Sequence, residues 1–516
     1  MRAVVAVLFF VTAAHAGLWG LLQEKQQAPD FRGILPSVSY PPFEPGHTVA
    51  DSIADSEKVR ADLKKLSTLT RAVRLYASTE GNELVPPIAA EFGMKVTVGV
   101  WIGQDINRNN REIEAAIKLA RRNSNVIGVV VGNETIYRGE QKVPELIELI
   151  KQVKKSVSVP VTTGEIWNIW RDNPELAYSV DFIAAHVLPY WENFTDRQAV
   201  DQAVAMFQLL RGQYPGKRVV IAEFGWPSAG YNLRNAMPGP FEQAVVLRTF
   251  VTRAETIGMD YNIVEAIDQP WKFFEGGVGP YWGILNAARE PKFAWTGPIV
   301  NENYWKLAII AVLVGVLMSL PILRLVQPTV LQAFVLSAAA NGVGAWVATV
   351  FAYWTGHYFV FGSAFALILG LTLLVPLVLI AMARIEEIAA IAFGRGPRRL
   401  IVKGAPVAPA TIGETISFPK VSIHVPAYFE PPDMLKQTLD AVSRLDYPNF
   451  ECVVIINNTP DPEFWQPIQD HCRALGERFK FINAEKVEGF KAGALRIAME
   501  RTAADAEIIG IIDADY

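Results

Sequence analysis

The chain has 516 residues, which excludes a single ordinary domain and predicts two or three. Hydrophobic residues make up 51% against 19% charged, a balance that points to membrane segments, and the net charge of −4 gives no reason to expect nucleic-acid binding. The two cysteines, Cys452 and Cys472, both lie late in the chain, so everything before them folds without a disulfide of its own and carries no thiol chemistry.

Residues 1–22 read MRAVVAVLFFVTAAHAGLWGLL. Arg2, the apolar run and the small-x-small triplet Ala14-His15-Ala16 fit a secretory signal. The apolar stretch continues through Leu22, long enough for an uncleaved membrane anchor. Under either reading the next domain is exported. From 31 to 298 short β-like runs alternate with longer amphipathic segments. The runs are 33–38, 72–76, 95–100, 126–131, 161–163, 182–186, 218–221 and 261–266, with helical patterns such as 110–122 and 144–153 between them. Eight strands, each followed by a crossover, predict an α/β fold of the (β/α)8 TIM barrel type. The competing open doubly wound sheet would usually place a Gly-rich phosphate turn after its first strand, and Gly33-Ile34-Leu35-Pro36-Ser37 is not one.

Two of these runs end in a carboxylate. Val129, Val130 and Val131 lead to Glu134, and Val219, Val220 and Ile221 lead to Glu223. Residues just past barrel strands sit on the functional rim. Two carboxyls there, one protonated and one ionised, are what glycoside hydrolysis requires. Trp101, Trp167, Trp170, Tyr190, Trp191, Trp226, Trp271 and Trp282 all fall near predicted strand ends or loops, where rings can stack on sugar faces. The bland alternatives are a structural ion pair for the glutamates and core packing for the rings.

Val131-Gly132-Asn133-Glu134 and Glu223-Phe224-Gly225-Trp226-Pro227-Ser228 resemble the paired signatures of glycoside hydrolase family 17, the β-1,3-glucanases and β-1,3-glucan transglucosylases. Val73-Arg74-Leu75-Tyr76, His186-Val187-Leu188-Pro189-Tyr190-Trp191 and Asp268-Gln269-Pro270-Trp271-Lys272 support the likeness over 31–298. The resemblance implies a retaining mechanism with Glu134 as acid/base and Glu223 as nucleophile. It also implies sugar contacts from Tyr40, Arg74, Asn133, Tyr190, Trp226, Trp271 and Lys272, and no cofactor for the barrel. Gln269 departs from the carboxylate that often precedes the lysine. Hydrolysis and transglycosylation differ only in whether water or a sugar hydroxyl attacks the glycosyl-enzyme, and no motif separates them.

Three apolar stretches come next, 305–323, 330–354 and 358–382, each long enough to span a bilayer. Arg324 and the group Arg384, Arg395, Arg398, Arg399 and Lys403 then fall on the cytoplasmic side by the positive-inside rule. Three crossings from an exported barrel end on that side too. Residues 384–418 read as a basic interfacial linker, with 385–393 either an amphipathic helix on the membrane surface or an ordinary connection.

From 419 onward β and α patterns alternate again: strands 421–425, 451–456, 479–483 and 508–512, helices 432–443, 462–476 and 490–501. They predict a Rossmann-like nucleotide-binding half whose strand ends face the ligand. Asp513-Ala514-Asp515 closes the last strand, and carboxylates spaced this way can hold a hard divalent cation against diphosphate oxygens. Pro426-Ala427-Tyr428-Phe429-Glu430, Lys491-Ala492-Gly493-Ala494-Leu495 and Asp513-Ala514-Asp515 resemble glycosyltransferase family 2, in particular the processive β-glycan synthases of GT-A fold. The resemblance implies Glu430 near the nucleotide base, Lys491 near the diphosphate, and Asp513 and Asp515 at the sugar nucleotide. Asp515 would serve the Mg2+ or Mn2+ ion. Asn457-Asn458 stands where an aspartate for the uridine is common, and Arg496 where asparagine is usual. The later elements of that family do not occur before Tyr516, so the expectation is the N-terminal part of a transferase domain.

The whole order resembles bacterial membrane-bound β-glucan synthases of the cyclic β-1,3/1,6-glucan type. It implies a multi-pass protein of the inner membrane with UDP-glucose, a β-1,3-glucan or gluco-oligosaccharide, and the lipid bilayer as its partners. Plain β-1,3-glucan hydrolysis is a second reading. A catalytically dead glucan-binding scaffold is a third.

Overall fold

The computed structural model describes residues 2–43, 54–301, 303–325, 327–394 and 418–515. They form two compact units, Met1–Gly396 and Pro397–Tyr516.

In the first unit eight parallel strands close into a barrel. They are β1 (Val38–Ser39), β2 (Ala72–Arg74), β3 (Lys95–Val100), β4 (Val126–Asn133), β5 (Val161–Ile166), β6 (Phe182–His186), β7 (Arg218–Phe224) and β8 (Asp260–Ile263). Closure, with β8 pairing back to β1, removes the open-sheet alternative. Val129, Val130 and Val131 of β4 are all buried, as a parallel strand covered on both faces requires. Each such side chain contributes about 1.5–3 kcal/mol of apolar burial.

The strand ends differ from the sequence reading for local reasons. Pro36 lacks a donor, so the stretch before β1 contributes only a single bridge, Leu35 to Thr70. Strands β5 and β7 run past the expected ends to Ile166 and Phe224: Glu223 turns to Arg74 inside the barrel mouth, whereas Glu165 turns away from the interior to the turn after β4. The helix expected over 110–122 begins at Ile106, because the Asp105 carboxylate accepts from the N–H groups of Asn107 and Arg108. Such a cap is worth about 1 kcal/mol.

Among the described residues four helices are long and apolar enough to cross a membrane. They are α1 (Arg2–Leu21), α2 (Tyr304–Ser319, prolonged by a tighter turn to Arg324), α3 (Val330–Gly356) and α4 (Phe361–Phe393). A polar seam joins α1 to α3. Trp19 Nε1 donates to His15 Nε2 at 2.9 Å, which leaves the ring proton on Nδ1 to meet Asn341 Oδ1 at 2.8 Å. Gly344 of α3 lies against the Ala311 carbonyl of α2 so closely that a Cβ would collide with it. Residues 385–393, which read as either an amphipathic surface helix or an ordinary connection, are helical and continuous with α4, which tolerates Pro376 inside. Arg395, Arg398, Arg399 and Lys403 lie outside the described residues. Helix α4 starts at Phe361 rather than 358 because Tyr358 turns onto the barrel. Its hydroxyl donates to Asp268 (3.0 Å), its N–H donates to the Tyr281 hydroxyl (2.8 Å), and its ring stacks on Tyr281.

The second unit holds four parallel strands, β9 (Lys420–Ala427), β10 (Phe450–Asn457), β11 (Phe479–Ala484) and β12 (Ala506–Ile511), in the order β11-β10-β9-β12. Helices Pro432–Ser443, Pro462–Leu475 and Phe490–Glu500 connect them. The strand order reverses at β9, so the loops after β9 and β12 flank a switch point of the kind where open α/β sheets bind ligands.

Candidate active site

The rim of the barrel gathers charged side chains that the strand ends deliver one by one. Glu134 follows β4 directly, His186 ends β6, Glu223 lies near the end of β7, and Arg74 ends β2. The ladders β4–β5, β6–β7 and β7–β8 all shift register close to these residues. Bulges at barrel rims re-aim side chains in this way. Glu134 itself has a left-handed backbone, φ 53°. A conformation of this sort in a non-glycine residue costs on the order of 1–3 kcal/mol, and surrounding contacts must hold it.

Arg74 is the hub. One guanidinium nitrogen donates to Glu223 Oε1 at 3.0 Å and to the Ala222 carbonyl at 2.8 Å. The other donates to Asn133 Oδ1 at 2.8 Å and faces His186 Nε2 at 3.2 Å. Because Nε2 meets a donor, the imidazole proton sits on Nδ1, which donates to Glu134 Oε1 at 2.9 Å. Gly164 makes this possible: a Cβ there would come within 2.7 Å of His186 Nε2 and 2.8 Å of Arg74 Nη2. Arg74, His186 and Glu223 are buried, while Glu134 is partly open. Burial pushes the Glu134 carboxyl up, but the His186 hydrogen bond, with the charges of Arg138 and Arg74, outweighs it and leaves the group below its ordinary value.

Donor atoms of Glu134, His186 and Glu223 all lie within 4.8 Å of one another. Three such atoms also have the spacing of a metal site. Arg74 already supplies the positive partner of Glu223 Oε1, and a divalent ion would have to sit against that fixed guanidinium. The arrangement therefore fits paired-carboxylate chemistry better. Carboxyls about 5–5.5 Å apart suit a retaining mechanism, whereas inverting pairs leave room for a water.

Around the pair the remaining expected contacts divide. Asn133 joins the Arg74 network. Lys272 pairs with the buried Glu265 at 3.0 Å, and the half-buried Trp271 donates to Gln269 at 2.7 Å. Tyr40, Tyr190 and Trp226 are buried, with their polar atoms spent on Asp62, the Tyr231 carbonyl and the Met237 carbonyl. In this conformation they build the wall and offer a sugar no surface. Trp170 and Trp282 are buried too, whereas Tyr137, Trp191, Tyr231, Phe273 and Phe274 are exposed. Sequence reasoning does not single out Glu165 and Glu265. Burial pushes both carboxyls up to about 7, against backbone donors from Ile136 and Tyr137 in the first case and Lys272 in the second. Glu165 is legible in principle, since it too closes a strand with a carboxylate.

In the second unit Glu430 lies in the loop after β9, and Asp513 and Asp515 in the loop after β12, on the two sides of the switch point. Lys491, in the first turn of Phe490–Glu500, is ion-paired with Asp513. Both side chains are about half exposed, at 53% and 47%. The donor chemistry, carboxylate oxygens at an open strand end, suits a hard divalent cation. Asn458 spends its amide on the backbone of Val487, at 2.7 and 3.0 Å.

The barrel and its closely spaced carboxylates define a glycosidase-type domain, and comparison with known proteins agrees. Residues 37–283 match the family model described as the BtgE/BtgC glycoside hydrolase domain, and residues 422–516 match glycosyl transferase family 2. The probable glucan endo-1,3-β-glucosidase btgC of Aspergillus flavus is 26% identical over 52% of this chain and 44% of its own length. The glucan 1,3-β-glucosidase of Arthroderma benhamiae is 29% identical over 46% of this chain and 83% of its own. Among solved structures, the family 17 β-1,3-glucanosyltransferase of Rhizomucor miehei is 27% identical, covering 50% of this chain and 95% of that one with a TM-score of 0.45. The chain thus spans less than half the length of the btgC relatives. It carries a glycoside hydrolase domain that matches the BtgE/BtgC model and a family 2 glycosyltransferase domain, with apolar helices between them, and both are enzyme domains.

Proposed function

We propose that the protein is a membrane-bound β-glucan synthesis and remodelling enzyme, whose barrel cuts and rejoins β-1,3-glucan by a retaining mechanism. The observation that carries the barrel reading is the Glu134–Glu223 pair, with donor oxygens within 4.8 Å and a shared frame of Arg74 and His186. Glu223, paired with Arg74 at 3.0 Å, attacks the anomeric carbon. Glu134 protonates the departing oxygen and then deprotonates the acceptor that releases the glycosyl-enzyme. Glu134 is partly open, so the proton it delivers comes from solvent, and between turnovers the His186 Nδ1–H bond holds its carboxylate in place. Exposed Tyr137, Trp191 and Tyr231 are platforms for sugar rings, and Trp271 and Lys272 are polar-edged contacts beside them.

In this proposal the helices cross a bacterial inner membrane, with the barrel outside and the transferase in the cytoplasm. The His15–Asn341 bond supports α1 as a retained anchor, because without it Asn341 Oδ1 would lose its donor inside the bilayer, with only the Nδ2 bond to the Ser337 carbonyl left. The transferase uses UDP-glucose. Asp513 and Asp515 would hold Mg2+ or Mn2+, which neutralises diphosphate charge when bound, while Lys491 meets the diphosphate and Glu430 the base side of the nucleotide.

The test is the full chain in detergent with defined β-1,3-gluco-oligosaccharides, beside Glu223→Ala, with products read by mass spectrometry and linkage analysis. Products longer than the donor, absent in the variant, are expected. Shorter products alone would make the barrel a hydrolase, the activity named for its fungal relatives. Equal behaviour of wild type and variant would overturn the enzymatic reading.

A further inference from the structure

The buried Glu165 carboxylate takes no part in the chemistry of the Glu134–Glu223 pair, yet it sits one strand from Glu134 and its side chain is wholly inaccessible. Both its oxygens accept from backbone: Oε1 from the Ile136 N–H at 2.8 Å, and Oε2 from the Tyr137 N–H at 3.3 Å. Those donors lie two and three residues beyond Glu134, in the turn that its left-handed backbone begins. The other bonds of that turn run to carbonyls. Glu134 N–H reaches Gly164 O (2.7 Å), Arg138 N–H reaches Glu134 O (2.8 Å), and Glu140 N–H reaches Thr135 O (3.0 Å). Neighbouring residues of β5 therefore grip the turn from both ends. Gly164 holds its first N–H through a carbonyl, and Glu165 holds those of Ile136 and Tyr137 through a carboxylate.

We propose that Glu165 is a positioning residue for the acid/base: by accepting the N–H groups of Ile136 and Tyr137 it holds the turn that aims Glu134 at His186 and the scissile oxygen. This rests on the reading of Glu134 as the acid/base. The charged and titratable groups facing Glu165 are His186 from β6 and Glu134 from the turn after β4. A neutral Glu165 presents one O–H donor toward an N–H donor and loosens one of the two bonds. Burial places that change near neutral pH.

A leaving-group comparison in the full chain tests it. An oligosaccharide leaving group needs a proton, whereas dinitrophenolate does not. Glu165→Gln is expected to lower kcat/KM for β-1,3-gluco-oligosaccharides by about 10²-fold, the share of a well-placed general acid. On a dinitrophenyl β-1,3-glucoside it is expected to act within about 3-fold of wild type, since acid help contributes little there. The acid limb of the oligosaccharide pH profile moves to lower pH in the variant, because the titrating carboxyl is gone. Glu165→Asp keeps the charge with a shorter reach, shows the same pattern in weaker form, and serves if the glutamine variant does not fold. Equal losses on both substrates, or no loss on either, overturn the inference. Glu134→Gln is measured alongside. If it retains oligosaccharide turnover, the acid/base reading falls and this inference with it. If it loses turnover while Glu165→Gln does not, only this inference falls.

Discussion

The two sets of strand ends treat their charges in opposite ways. On the barrel rim Arg74, His186 and Glu223 are buried, with Arg74 bonded to both of the others, and closure of the barrel brings four strand ends together to supply these contacts. On the transferase sheet Lys491 and Asp513 form one half-exposed pair, and among the described residues β12 lies at the sheet edge with Ile508, Ile509 and Ile511 exposed. A closed barrel pre-orients its reacting groups in a low-dielectric setting, where electrostatic contacts are strong and unpaired charges expensive. An open sheet end leaves its charges solvated, ready to be organised by a charged ligand. The first site is therefore expected to be sensitive to single substitutions in stability and rate, and the second mainly in ligand binding.

The largest test of that contrast is Glu223→Gln, expected to lower glucan turnover by about 10³-fold or more, as loss of a nucleophile does, with the barrel still folded. Rates from mass-spectrometric product analysis and a circular dichroism spectrum check both halves. Next comes Arg74→Ala, which strands the Glu223 carboxylate without its cation. Breaking a buried pair costs about 3–5 kcal/mol, so a marked drop in the barrel's Tm is expected in a thermal melt. Unaltered melting would mean that the rim is more hydrated than its burial implies.

Two pH effects arise from the carboxyls. Glu165 and Glu265 have folded values raised to about 7 from the ordinary 4.5, because burial favours their neutral forms. Their stabilising contribution is complete below the unfolded value and is lost as pH climbs through the folded one. Barrel Tm should thus decline between about pH 4.5 and 7 from these two groups, and Glu265→Gln should flatten part of the slope. Glu134 has the opposite sign, since His186 holds its carboxyl down. In His186→Ala that depression lifts, and the basic limb of the kcat profile moves to higher pH. A limb that stays in place would show that Glu134 is not the group titrating there. The smallest effect belongs to the other rim: Lys491→Ala removes a half-exposed ion pair and should change stability by under about 1 kcal/mol. Its consequence is weaker binding of a nucleoside diphosphate, read by calorimetry.

Much of this is legible in the chain. The periodic apolar runs locate all eight barrel strands and the four transferase strands within a few residues, since a strand covered on both faces has to be apolar along its length. Where the apolar runs stop short of the strand ends, at 163 and 221, the strands continue through Glu165 and Glu223, whose partners lie on other strand ends, a pairing that local hydrophobicity does not encode. Glu134 and Glu223 stand out because each closes such a run. Glu165 closes one as well, but nothing local announces that its carboxylate clamps a turn of the neighbouring strand.

The sequence by itself determined the order of elements, the apolar spans and the pair of strand-end glutamates, because these depend on residue type and spacing along one segment. Only the tertiary structure decided which strand ends meet. It put Arg74 between Asn133, His186 and Glu223, turned Tyr190 and Trp226 into wall rather than surface, carried α4 on through 385–393, and set Tyr358 against Asp268. Each of these joins residues far apart in the chain, and contact between them is decided by how the strands close and the helices pack.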